Sequence, residues 1–346
     1  MDLGHLLAPS LAPRVADQLA AIERRLYAVT SAPGGLVQRS SRHLLAAGGK
    51  RFRPLVVVLA ASAIDPATDP RPVRDAAVSV ELLHLSTLYH DDVIDAAATR
   101  RGVASVNARW GDRLAVMAGN RLTALSLEAA ADVGDEVPSL LARTYASLVA
   151  GERLEARLAG RLETGIPAYL EAIDGKTASL VAAAARAGAA AAAATPATRD
   201  AAEAWGRTIG LAYQVADDVL DLTGTAAQAG KPVGNDLALG VYTWPLLDAL
   251  TTSAGGALRR LLDGPLPHDP AVVNRAVAIV RACGSLDRAT ALVKHLLVRA
   301  DGHLAELPAG AASRALRELG RTLVPDVEMA PAATAVPSRP VQAVGV

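Results

Sequence analysis

Apolar positions recur at helical spacing along most of the chain, and Gly and Pro fall mainly between the periodic runs. The pattern predicts amphipathic helices over 11–28 and 36–47. A helix over 55–64 follows, apolar on every side and therefore buried, with Pro54 placed to begin it. Between Pro72 and Gly102 no Gly or Pro interrupts the run. Further helices are expected over 112–132, 138–162 and 166–194, with Gly175-Lys176-Thr177 breaking or kinking the last. Thr195-Pro196 reads as the cap and first turn of the next helix, on which Gly206 and Gly210 would let a neighbour approach closely. Pro245 opens another helix, and three or so more reach about Leu323. No stretch alternates as a strand would, and no short period repeats. The expected fold class is all-α, a single helical domain over 1–324 followed by a Pro/Ala-rich tail over 325–346 without helical period.

Composition narrows this picture. Hydrophobic residues make up 51% of the chain but aromatics only 3%, so the core must be built from Ala, Leu and Val in closely packed helices. Thirty-five basic residues balance 35 acidic ones, and zero net charge offers no basic footprint for nucleic acid. Cys283 is the only cysteine, which excludes an intrachain disulfide. The longest apolar run, Ala178 to Ala194, is mostly Ala and is interrupted by Arg186. It reads as a buried helix rather than a transmembrane segment. Residues 1–13 lack the charged and apolar regions of a secretory signal, and the cytoplasm is the expected location.

The candidate chemistry lies in two repeats of one pattern. Asp91, Asp92 and Asp95 occupy neighbouring positions on a helix face within one turn. Asp217, Asp218 and Asp221 repeat that spacing on a second helix. Like charges so placed repel, and with no basic residue interleaved they call for a countercharge such as a divalent metal. Magnesium prefers oxygen ligands and binds through one or two carboxylates plus phosphate oxygens, so two acidic helices across a cavity suit a polyphosphate. Lys50, Arg51, Arg53, Arg100, Arg101, Lys176 and Lys231 lie in turns beside them, ready to hold phosphate.

With these motifs in order, the sequence resembles the trans-isoprenyl diphosphate synthases, from about residue 10 to 323. The matching elements are the 48–54 turn Gly-Gly-Lys-Arg-Phe-Arg-Pro, His84, both Asp-Asp-x-x-Asp motifs, Arg100-Arg101-Gly102, Lys176-Thr177, Gln214 and Gly230-Lys231-Pro. The resemblance implies a bundle of ten or more helices around a central cavity, working as a homodimer. It implies head-to-tail condensation of isopentenyl diphosphate with an allylic diphosphate, giving an all-trans polyprenyl diphosphate. The six aspartates would hold Mg²⁺, three ions with substrate bound. Arg100, Lys176 and Lys231 would hold the allylic diphosphate. Lys50, Arg53, His84 and Arg101, with Arg51 beside them, would hold isopentenyl diphosphate. Thr177 and Gln214 would face the developing cation.

Two positions depart from the family pattern. Val241 stands where many members have Lys, and Asn120 where an Asp is common. In the family, large side chains one turn before the first motif form the floor of the product cavity. Ser86 and Thr87 are small, so the floor is expected lower, at Leu82 or Leu83, giving a medium to long product. The alternatives are a shorter-chain farnesyl or geranylgeranyl diphosphate synthase, a terpene cyclase, which would have no need of the isopentenyl diphosphate residues, and a non-catalytic partner in a heteromer.

Overall fold

A computed structural model describes residues 6–31, 35–224 and 233–324. The tail over 325–346 and Lys231 lie outside the described residues. Ten α-helices lead from the N-terminus through both acidic motifs: α1 Ala12–Thr30, α2 Leu36–Ala46, α3 Phe52–Ile64, α4 Pro70–Ile94, α5 Val106–Trp110, α6 Asp112–Ala131, α7 Glu136–Leu158, α8 Ile166–Ile173, α9 Ser179–Ala191 and α10 Pro196–Thr223. Among the described residues, six shorter or peripheral ones follow: α11 Asn235–Ala238, α12 Trp244–Ala249, α13 Gly255–Leu262, α14 Pro270–Ala282, α15 Ser285–Leu304 and α16 Ala311–Leu323.

Two details differ from the sequence expectation. Helix α3 begins at Phe52, two residues before Pro54, because Arg51 turns the chain in the left-handed region (φ 47°) and Pro is tolerated throughout a first turn. There is also a small antiparallel hairpin, β1 Thr99–Arg100 with β2 Val103–Ala104. Strands of two residues are too short to show alternation. Arg101 (φ 53°) and Gly102 (φ 76°) form its two-residue turn, both with positive φ as a tight hairpin of this kind requires.

Helix α4 starts on a firm cap: the Asp69 carboxylate accepts the Arg71 N–H, and Pro70 and Pro72 fit the first turn. It is buried along most of its length and ends at Ile94. Asp91 and Asp92 therefore sit in its last turn, and Asp95 caps it. Helix α10, capped by Thr195 as expected, likewise ends just after Asp221. Both acidic motifs thus lie at the negative end of a helix dipole, where carboxylates are disfavoured and a cation is favoured.

Helix α9 runs between α3 and α10, and small residues set its spacing. A Cβ at Gly188 would stand 2.3 Å from the Val57 carbonyl oxygen of α3. One at Gly206 would meet the Val181 carbonyl oxygen at 2.6 Å, and one at Gly210 the Ala178 Cα at 2.5 Å. The close approach expected at the last two positions is present. The break expected around Lys176 takes the form of one π turn, Asp174–Ala178, between α8 and α9. It packs on α7, where a Cβ at Gly151 would lie 2.3 Å from the Lys176 backbone nitrogen. One buried apolar cluster gathers around α3, α4, α6 and α9, and a second around the end of α10 with α12, α14 and α15. No helix among the described residues is long and apolar enough to cross a membrane.

Candidate active site

The π turn is the hub of the site, with a cleft on each side. Lys176 points into a cleft of about 360 Å³ between α4 and α7, lined also by Thr87, Asp91, Tyr145, Leu148 and Glu152. Thr177, the next residue, lines a second cleft of about 470 Å³. Lys50, Arg51, Arg53, His84 and Arg101 all open onto that second cleft. The five residues grouped from the sequence as one diphosphate site are therefore gathered in space. A third, smaller hollow lies beside Gln214, Asp218, Glu155 and Tyr242.

Local structure explains how the cations assemble. The hairpin turn sends Arg100 and Arg101 to different places. Arg100 Nε donates to Asp92 Oδ1 at 2.7 Å. Arg101 reaches the 44–48 backbone, donating to the Leu44 carbonyl at 3.0 Å and to the Gly48 carbonyl. Arg53 is half-buried, and its Nε is out of reach of solvent with no hydrogen-bond partner. Burial, then the charges of Arg53, Arg101 and Arg51, push the His84 imidazole well below its ordinary pKa. His84 is therefore a neutral ring at neutral pH.

On the acidic side, burial first and then Glu152 push Asp91 up to about 7, against the opposing pull of Lys176. Burial also raises Asp92, although Arg100 opposes it, and Asp92 Oδ2 is buried without a hydrogen-bond partner. Asp95 is exposed at the helix end. Burial raises Asp218 to about 8, against hydrogen bonds from Tyr169 and from Gln214 Nε2 at 3.1 Å. Thr177 Oγ1 in turn donates to Gln214 Oε1 at 3.0 Å, linking the basic cleft to the second acidic motif. Asp221 is turned toward the following loop, its Oδ2 accepting the Asp236 N–H at 3.4 Å.

Lys176 stands in the field of Asp91 of the first motif. Its ammonium lies 3.1 Å from Glu152 and is paired with Glu155, both on α7. Glu155 in turn feels Asp236, which stands in the field of Asp218. Glu152, Glu155, Tyr169 and Asp236 were not singled out from the sequence. Among the described residues, no three His, Cys, Asp or Glu side chains are grouped to hold one ion unaided. The carboxylates nonetheless suit divalent metal. Asp91, Asp92 and Asp218 are desolvated, both motifs sit at negative helix ends, and Asp92 carries an unpartnered oxygen. Magnesium would complete its shell there with water and phosphate oxygens.

Of the expected chain-length positions, only Thr87 lines the α4–α7 cleft. Ser86 is buried against α6, its hydroxyl 2.6 Å from Thr123 Oγ1. Leu82 and Leu83 lie in the core. Asn120 lies one residue beyond Gly119, whose missing side chain makes room for His90: a Cβ there would be 2.4 Å from Nε2. Val241 borders the hollow beside Asp218.

Comparison with known proteins identifies the family. The polyprenyl synthetase family profile matches residues 35–280. The nonaprenyl diphosphate synthase of Mycobacterium tuberculosis is 37% identical, over 92% of this chain and 94% of its own length. Component 2 of the heptaprenyl diphosphate synthase of Geobacillus stearothermophilus is 36% identical, over 88% and 94%. The crystal structure of geranylgeranyl pyrophosphate synthase from Corynebacterium glutamicum, complexed with calcium and isoprenyl diphosphate, superposes with a TM-score of 0.81. It is 34% identical and covers 93% of this chain and 99% of that one. The chain belongs to the polyprenyl synthetase family of trans-prenyltransferases.

Proposed function

We propose that this enzyme condenses isopentenyl diphosphate with an allylic diphosphate in head-to-tail fashion, depends on magnesium, and releases an all-trans product of medium to long chain. The observation that carries this reading is the adjacency of Lys176 and Thr177. They place a carboxylate-rich cleft and an arginine-rich cleft on either side of one π turn. Two anionic substrates can then bind side by side without sharing a subsite.

In this reading Lys50, Arg53 and Arg101 hold the isopentenyl diphosphate, with His84 as an uncharged donor. Asp91, Asp92 and Asp95 on α4, with Asp217, Asp218 and Asp221 on α10, would hold magnesium against the allylic diphosphate. When bound, the metal supplies positive charge that favours departure of that diphosphate. Lys176 adds its own charge by leaving Glu152 and Glu155, and Arg100 does so beside Asp92. Thr177 and Gln214, joined by a hydrogen bond, would offer oxygen dipoles to the allylic carbon as it becomes positive. The isopentenyl double bond attacks that carbon, and the departing diphosphate is positioned to take the proton. No protein nucleophile is required.

The medium-to-long product rests on Thr87, a small side chain beside Tyr145 and Leu148 in the α4–α7 cleft. The test of the reaction is incorporation of labelled isopentenyl diphosphate into chloroform-soluble product with several allylic primers. A terpene cyclase on this scaffold would ionise the primer and incorporate no label, and that result would overturn the reading.

A further inference from the structure

Glu81 belongs to no motif, yet it lines the basic cleft. It lies on α4, one turn before His84, and is 2% exposed. Its Oε1 accepts a hydrogen bond from Arg51 Nη1 at 3.0 Å. Three more N–H groups of Arg51 are taken, by Glu23 at 2.8 and 3.0 Å and by the Leu45 carbonyl at 3.2 Å. Most of the Arg51 guanidinium is thus engaged by protein groups, and its backbone is held in the left-handed region that a side chain of its size rarely adopts.

The same carboxylate acts on the two neighbouring guanidiniums. Among the influences that favour the charged forms of Arg53 and Arg101, Glu81 is the largest for each. Gly49 keeps room for this gathering. A Cβ there would stand 2.8 Å from Arg51 Nη1 and 3.0 Å from Arg101 Cζ. Three arginines converge on one turn, and a single buried carboxylate lies among them.

We propose that Glu81 is a positioning residue for isopentenyl diphosphate. It fixes Arg51, and with it the 48–53 turn, and it offsets the repulsion among Arg51, Arg53 and Arg101 so that the last two stand ready before substrate arrives. This rests on the assignment of the second cleft to isopentenyl diphosphate. In this arrangement Arg51 is a strut and makes no contact with the diphosphate. Removing the carboxylate leaves Glu23 as the remaining counterion of Arg51 and takes from Arg53 and Arg101 their chief countercharge, which loosens the turn.

The experiment compares Glu81→Gln, Glu81→Asp and Arg53→Ala with the parent enzyme. It measures KM for each substrate, kcat, the melting temperature, and metal-free binding of isopentenyl diphosphate by calorimetry. Glu81→Gln should raise KM and Kd for isopentenyl diphosphate by about tenfold or more, with kcat and the allylic KM within about threefold. Glu81→Asp should recover part of the loss. An isopentenyl KM that is unchanged or lowered in Glu81→Gln, or two KM values that rise together, would overturn the proposal. Arg53→Ala separates the two claims. If it weakens isopentenyl diphosphate and Glu81→Gln does not, only the role of Glu81 fails; if neither does, the assignment of the cleft fails. Should Glu81→Gln not fold, the double variant Arg51→Met/Glu81→Met carries the test, because it removes both buried partners and leaves only Glu23, which is 38% exposed, to be solvated. It should keep the isopentenyl defect, and a normal KM there would count against the proposal.

Discussion

His84 lies among guanidinium groups, and its folded-state pKa is pushed well below the ordinary value by burial and by those charges. The sign of the consequence is definite. Above pH ~6.5 the ring is neutral in both folded and unfolded chains, so it adds no pH dependence. Below that value the unfolded chain takes up the proton first, and stability is lost as pH falls toward the folded-state pKa. Replacing His84 by Gln should therefore flatten the fall in unfolding free energy between about pH 6.5 and 5. Urea denaturation of both proteins across that range checks it, and parallel curves would contradict the assignment. Thr87 carries a second prediction at this scale. As the small side chain of the α4–α7 cleft, it should shorten the product when changed to Phe, whereas Ser86, turned to Thr123, should act through α6 packing instead. Chromatography of the dephosphorylated products distinguishes the two positions. Asp91, Asp218 and Lys176 were legible in the sequence because a charge set in an apolar helix is itself a signal. Glu152, Glu155 and Glu81 were not. Acidic residues at helical spacing resemble any solvated face until the chain brings Lys176 or Arg51 onto them.

At the scale of elements, the π turn and its seat on α7 decide where Lys176 and Thr177 stand. Gly151 and Gly175 let the two backbones touch, since a Cβ at Gly175 would lie 2.8 Å from the Ser147 carbonyl oxygen. Changing Gly151 to Ala should cost about 1–3 kcal/mol of stability through overpacking. Because the colliding atom is the Lys176 backbone nitrogen, product formation should fall by more than about tenfold even below the melting temperature, as a displacement near 1 Å can cost far more. Denaturant titration and initial rates on the same preparation check both parts; full activity at reduced stability would contradict the seat. The helices themselves were largely legible from apolar spacing, and the break at Gly175-Lys176-Thr177 was too. Its π form was not, since an extra residue in one turn follows from tertiary contact rather than propensity. Nor was the hairpin, whose strands are shorter than any alternation could mark.

For the whole molecule, the two acidic motifs lie at the ends of α4 and α10, and Lys176, held by Glu152 and Glu155 of α7, stands in the field of Asp91. The resemblance to a family could be read from motif order. The part of α7 could not, because no pattern relates 152–155 to 91 or 176 in advance. The most direct measurement is mass spectrometry of products formed by the purified chain from labelled isopentenyl diphosphate and an allylic primer, with magnesium and after exhaustive chelation. The expected product is an all-trans polyprenyl diphosphate of medium to long chain, formed only with magnesium and lost in both Asp91→Asn and Asp218→Asn. Undiminished product after chelation, or no labelled product with any primer, would contradict the proposed reaction.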